Sequence, residues 1–274
     1  MQTLLWFFGA CVGALMLSTI VLHVLARLGR LGSAVCDALA RGYLLDLAVF
    51  YFTHGPWVAA AIVWYRSPEP GARLWTFLGA AIAAQSLTLV LWSWMHEAMN
   101  PGIRKGPRIV STLNRRVGWF RNHAAVWWTA LAVPLFTMIR LGEILLYPPL
   151  HWLVRLPKYN VNEWINVSRQ KFSGLVGYDL IWCLYCDWMT GVWSLGSEML
   201  RNVESFWCPI KYTSPEKCEK CCIDFPDING GWVDSKGTIA DVASLLEQKY
   251  PGPGGENGWF GHPTRVQLTV KRTD

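Results

Sequence analysis

An unbroken apolar run near the start of the chain limits the fold more than any other feature. Residues 3–26, TLLWFFGACVGALMLSTIVLHVLA, contain no Asp, Glu, Lys or Arg. As a helix rising 1.5 Å per residue, the run reaches across about 30 Å of hydrocarbon. It has no basic n-region and no small-residue cleavage site, which predicts a retained span and not a signal peptide. The composition agrees: 52% of residues are hydrophobic and only 16% charged, where soluble domains carry about 25% charged residues.

Three more candidate spans follow. Residues 43–65 are apolar but interrupted by Gly55-Pro56, and proline there should kink the helix. Residues 74–95 carry Gly79, Ala80, Ala83 and Ala84, small side chains that permit close helix contact. The fourth begins near Ala124, stays apolar to Ile139, then meets Arg140 and Glu143 before Tyr147-Pro148-Pro149, which is expected to stop it. Arg140 and Glu143 lie three residues apart on one helical face, so they are expected to pair with each other.

Charge sets the expected orientation. The formal charge of +6 is uneven: residues 201–274 hold nine Lys/Arg against ten Asp/Glu, leaving sixteen against nine in the first 200. Between the third and fourth spans Arg104, Lys105, Arg108, Arg115, Arg116 and Arg121 mark a cytoplasmic side, and Arg27, Arg30 and Arg41 agree. The basic excess beside apolar segments points to anionic lipid and not to nucleic acid. If the fourth segment crosses fully, the remainder lies outside; the positive charge of Arg155, Lys158, Arg169 and Lys171 favours a cytoplasmic tail.

Residues 172–206 change to a helical period. One face collects Ile181, Leu184, Tyr185, Trp188, Val192, Leu195, Met199, Val203 and Phe206, and the opposite face Asp179, Cys183, Cys186, Thr190, Ser194, Ser197 and Arg201. That is an amphipathic, interfacial helix. Beyond it, KYTSPEKCEKCCIDFPDINGGW reads as loop and turns, TIADVASLLEQKY as a helix with Thr238 and Asp241 placed as a capping box, PGPGGENG as a linker and RVQLTVK as a half-buried strand. So small a unit calls for a staple.

Eight cysteines bear on that staple. Cys11 and Cys36 stand alone as small buried hydrophobes. Cys183, Cys186, Cys208, Cys218, Cys221 and Cys222 fall within forty residues, as C-x-x-C, a single Cys before Pro209, and C-x-x-C-C. The two C-x-x-C pairs are 31 residues apart, where zinc sites usually place about 15–20 residues between pairs. Cys183 and Cys186 share a helix face and the tail pair can bend toward one atom, so Cys183, Cys186, Cys218 and Cys221 form a candidate four-thiolate site. Zinc and a four-iron cluster both need four ligands; Cys208 and Cys222 are spare, or Cys208 serves a cluster. A tail outside the membrane would instead use the same six cysteines in up to three disulfides.

Other chemistry has less support. His96 ends the third span and His123 begins the fourth, which raises haem; with His54, such residues are more often interfacial or satisfied core groups, so haem is not expected. HEAMN at 96–100 lacks the second histidine of a zinc-protease helix, and the chain has no phosphate-binding loop and no G-x-S-x-G. Asp179 and Asp187 are the first candidates if the chain is an enzyme of some unknown reaction, and read equally as solvated surface groups.

The sequence therefore predicts a mainly α fold: a polytopic helical membrane protein of three or four spans over 1–150, an interfacial amphipathic region over 151–207 and a small Cys-rich α+β soluble tail over 208–274. Its expected location is the plasma or inner membrane with the tail in the cytoplasm. The expected function is a membrane-anchored protein holding zinc or an iron-sulfur cluster, structural or electron-transferring, with the bilayer and other membrane subunits as partners. A disulfide-stapled interaction protein without metal is the alternative.

Overall fold

The computed structural model describes residues 2–69 and 71–249. In chain order the helices are α1 (Gln2–Leu25), α2 (Gly29–Leu39), α3 (Gly42–Thr53), α4 (Gly55–Arg66), α5 (Leu74–Met99), α6 (Pro101–Arg104), α7 (Ile109–Val117), α8 (Trp119–Thr129), α9 (Val133–Val154), α10 (Val161–Trp164), α11 (Gly177–Trp207), α12 (Pro215–Asp224) and α13 (Ile239–Lys249). Three stretches, Gln2–Leu25, Leu74–Met99 and Trp119–Val154, are long and apolar enough to cross a membrane, and α3 with α4 makes a fourth if the bent pair is one span. The chain packs as two compact units: the described residues up to Leu135 with Ile165–Thr190, and Phe136–Trp164 with the described residues from Gly191 onward.

In the first unit the core joins α1, α4 and α5 through Phe7, Ala60, Phe77 and Ala81, with Cys11 packed against them. The Phe7 and Phe77 rings are 5.8 Å apart. Of the small residues expected to bring α5 close to its neighbours, Ala84 is fully buried, but Gly79 and Ala83 face outward. The contact face is Phe77, Ala81, Ala84 and Thr88, a row at helical spacing that alternation of small residues alone does not identify. Outward-facing side chains such as Trp6, Leu17, Trp75 and Ile82 suit a hydrocarbon surround.

The kink expected at Gly55-Pro56 is present, a bend of 51° between α3 and α4. Pro56 has no N–H for the Phe52 carbonyl, and the Trp57 N–H turns to His54 at 2.9 Å, which releases the Thr53 carbonyl. Gln85 on α5 supplies both losses: its Nε2 donates to Phe52 O and Thr53 O, each at 2.7 Å. Its Oε1 accepts from the Trp57 indole at 2.7 Å. Gln85→Leu is expected to cost about 2–4 kcal/mol, because three polar groups lose their partner where water is scarce. Chemical unfolding in detergent checks this; a loss below about 1 kcal/mol would mean water replaces the amide.

The second unit shows two departures from expectation. Tyr147-Pro148-Pro149 does not stop α9, which carries both prolines inside it and runs to Val154. The stop lies further on, where Arg155 takes a left-handed φ of 57° and Leu156 precedes Pro157, a position that disfavours helix. The tail is also more helical than expected. KYTSPEKCEKCCIDFPDINGGW contains α12, begun by Ser214, whose side chain accepts from Lys217 N, and by Pro215 in the first turn. Among the described residues of the tail there is no strand, only a single parallel bridge of Ile210 with Val233. The expected linker at 251–258 and strand at 265–271 lie outside the described residues.

The expected α13 forms with its capping box: Thr238 N and Oγ1 donate to Asp241 Oδ2 at 2.7 and 2.8 Å. These hydrogen bonds hold the Asp241 carboxyl below its ordinary range. A small core of Ile228 and Trp232 gathers Tyr212, Cys221, Cys222 and Phe225. The Arg201 guanidinium of α11 lies over Phe225, Trp232 and Tyr212 at 5.0, 5.8 and 6.0 Å, and Trp232 Nε1 donates to Ser205 Oγ at 3.0 Å. An arginine thus covers the apolar floor of this unit with its stem and ring-facing charge.

Candidate functional site

In the first unit the functional geometry gathers where α5 ends and the basic loop begins. Arg108 is the one loop arginine that turns inward: its Nη2 meets Glu97 Oε1 at 2.5 Å and its Nε meets Asp179 Oδ2 at 3.4 Å. Asp179 also accepts the Ile109 and Val110 backbone N–H groups at 2.9 and 3.0 Å. One carboxylate therefore caps the start of α7 and pairs with the arginine before it. Gly177 makes the approach possible: its φ is +57°, and a Cβ there would stand 2.5 Å from Glu97 Oε1. Its N–H donates to His96 Nδ1 at 2.9 Å.

Held this way, α7 presents Ile109, Leu113 and Val117, spaced four apart on one ridge and 49%, 41% and 48% exposed. Trp119 and Phe120 follow, also exposed. Arg104, Lys105, Arg115, Arg116 and Arg121, before, within and after that row in the sequence, are all exposed. The sequence placed these charges in a loop; it did not reveal the apolar ridge of α7, although Ile109, Leu113 and Val117 were readable at helical spacing.

Asp179 and Asp187, expected to be either acids or solvated groups, are both structural partners. Asp179 is 8% exposed. Asp187 accepts from Ser168 N at 2.8 Å and Arg169 N at 3.2 Å and pairs with the Arg169 guanidinium at 3.5 Å. The candidate haem histidines are each engaged: the His96 ring stands 5.2 Å from His23, and His123 lies between Trp119 and Tyr178 at 5.0 and 5.7 Å.

The six candidate metal cysteines fall in both units. Cys183 and Cys186 belong to the first unit and Cys208, Cys218, Cys221 and Cys222 to the second. Cys183 and Cys186 do share a face of α11, three residues apart, and the nearby Arg169 charge favours an ionised thiol there. Burial pushes the Cys183 thiol up, against the pull of Arg169. Cys221 accepts from Arg201 Nη2 at 3.2 Å, Cys208 is exposed, and all eight thiols are free. Cys218 and Cys222 lie one turn apart on α12, and burial is the main cause that raises the Cys222 thiol. Among the described residues no group of three or more His, Cys, Asp or Glu side chains is arranged to hold a metal ion.

The second unit also buries polar groups within its helices. Arg140 and Glu143 form the expected pair at 2.8 Å, both side chains 4% exposed. Gly196 on α11 leaves room for Glu143, since a Cβ there would be 2.9 Å from Glu143 Oε1. Asn202 donates to the Tyr159 hydroxyl, whose ionisation burial holds well above the ordinary range.

Together these features define a mainly helical protein with span-length apolar helices. No protein-family model matches the chain, and searches of curated proteins and of solved structures find no match.

Proposed function

We propose that this chain is an integral membrane protein of the structural or assembly kind, carried by three or four spans and seated on an anionic leaflet by α7. The observation that supports this reading is the exposed ridge of Ile109, Leu113 and Val117 with Trp119 and Phe120, in a stretch whose Arg104, Lys105, Arg115, Arg116 and Arg121 are also exposed. A helix with one apolar row and basic flanks lies in the headgroup layer, its apolar side in the acyl boundary. The loop links two span-length helices, so the layer is within its reach. By the charge rule this side is cytoplasmic, at the plasma or inner membrane. Nothing comparable favours catalysis: the two aspartates nearest the cysteines are already committed to backbone N–H groups and arginines.

Hydrogen exchange on the full-length protein in lipid nanodiscs tests the reading. Each basic residue at an anionic surface adds about 1 kcal/mol, so amides 109–117 are expected to exchange at least tenfold more slowly in discs containing phosphatidylglycerol than in phosphatidylcholine alone. High salt should remove the difference. Equal exchange in both lipids would rule out headgroup binding by α7.

A further inference from the structure

We infer that the start of α11 is fastened to α5 by a proton-sensitive latch: His96 accepts the Gly177 N–H only as a neutral imidazole and lets it go when acid protonates the ring. The latch stands whether or not α7 meets lipid.

Hydrogen bonds fix where the proton of the neutral ring sits. Gly177 N donates to His96 Nδ1 at 2.9 Å, so Nδ1 carries a lone pair and the proton is on Nε2. A protonated imidazole has an N–H at both nitrogens and would turn one donor toward another. His23, whose ring centre is 5.2 Å away on α1, is set the opposite way. Its Nδ1 meets the Thr19 carbonyl at 2.8 Å and must donate, while its Nε2 is buried with no hydrogen-bond partner. A proton added to that nitrogen leaves the Thr19 bond whole. Of the two rings, His96 alone couples proton uptake to a contact between helices.

The charges around the ring make uptake possible. Next to His96 on α5, Glu97 meets Arg108 Nη2 at 2.5 Å, and Arg108 Nε lies 3.4 Å from Asp179 on α11. Two carboxylates thus share one inward-turned guanidinium. Arg104, 3.9 Å from Glu97, and Arg27 beyond α1, which acts on the ring electrostatically, are both exposed, where salt and water screen their charge. His123 on α8 packs against Tyr178, the residue after Gly177, at 5.7 Å. The carboxylates draw a proton to His96 and the Gly177 N–H opposes it. Because the contact needs the neutral ring, it is complete above the ordinary imidazole range, about 6.5, and lost as the pH falls through it.

Release also reaches α7. Asp179, two residues past Gly177, caps that helix through the Ile109 and Val110 N–H groups, and Arg108 holds the Val176 carbonyl at 3.2 Å. Losing the His96 bond weakens the seat of Asp179, so acid loosens the start of α11 and the cap of α7 together.

Histidine nitrogen NMR and hydrogen exchange on the full-length protein in detergent test the latch. At about pH 7.5 His96 should show a bare Nδ1, and at about pH 5 both its nitrogens should be protonated. Over the same interval the Gly177 amide should lose about tenfold of its protection, corrected for the intrinsic rate, the factor that one hydrogen bond contributes. His96→Asn, whose Oδ1 replaces Nδ1 as acceptor and takes up no proton, should keep the protection and remove its dependence on pH. His23→Gln and His123→Gln should leave that dependence in place. A proton on His96 Nδ1 at about pH 7.5, or Gly177 protection that does not change as the ring is protonated, would overturn the latch. So would a pH dependence retained in His96→Asn or abolished by His23→Gln or His123→Gln.

Discussion

Arg108→Met is expected to destabilise the first unit by about 3–5 kcal/mol, the usual cost of removing one member of a buried ion pair. The guanidinium sits between two carboxylates, and its side chain is only 13% exposed, against 19% for Glu97 and 6% for Asp179. Without it the two acids face each other with no cation between them, and the cap on α7 carries an uncompensated charge. Arg104→Met provides the control, because Arg104 approaches Glu97 only at 3.9 Å with 64% of its side chain exposed. Exposed pairs of that kind contribute about 0–1 kcal/mol. Thermal unfolding in detergent would separate the two variants. Equal losses would show that burial does not decide the strength of this network.

Arg140→Met is expected to cost a similar amount, about 3–5 kcal/mol, by leaving Glu143 buried without its cation. The effect should be largely reversed in the double variant Arg140→Met/Glu143→Leu, since desolvating both charges offsets much of what their attraction contributes. Both side chains are 4% exposed in a helix apolar enough to span a membrane. A double-mutant cycle by chemical unfolding measures this directly. If the double variant is as unstable as the single, the pair has partners that depend on both charges, and its role is wider than mutual neutralisation.

What could be read from the sequence depended on whether the information was local. The first and third spans, the bend at Gly55-Pro56, the Arg140–Glu143 pair and the Thr238–Asp241 cap each rest on neighbours a few residues apart. The partners of the candidate site do not. Asp179 meets Ile109 across 70 residues, and nothing in the amphipathic pattern of 172–206 distinguishes it from a solvated acid. The face shared by Cys183 and Cys186 was legible from a spacing of three, but the pairing of Arg169 with Asp187 on the same helix was not. Helix α12 has a readable start in Ser214, Pro215 and Glu216, but the charges and cysteines after them hide the apolar period that normally announces a helix.

The polar brace at the bent pair carries a consequence for biogenesis. Gln85 follows Phe52 by 33 residues, and chains emerge at about 5–20 residues per second. For the seconds between, the Phe52 and Thr53 carbonyls lack the Gln85 amide, and in a bilayer each unsatisfied group costs several kcal/mol. Pro56 bends the pair by itself, but the two carbonyls it frees gain their partner only once α5 has been made, so the later helix completes the polar pairing of the earlier two.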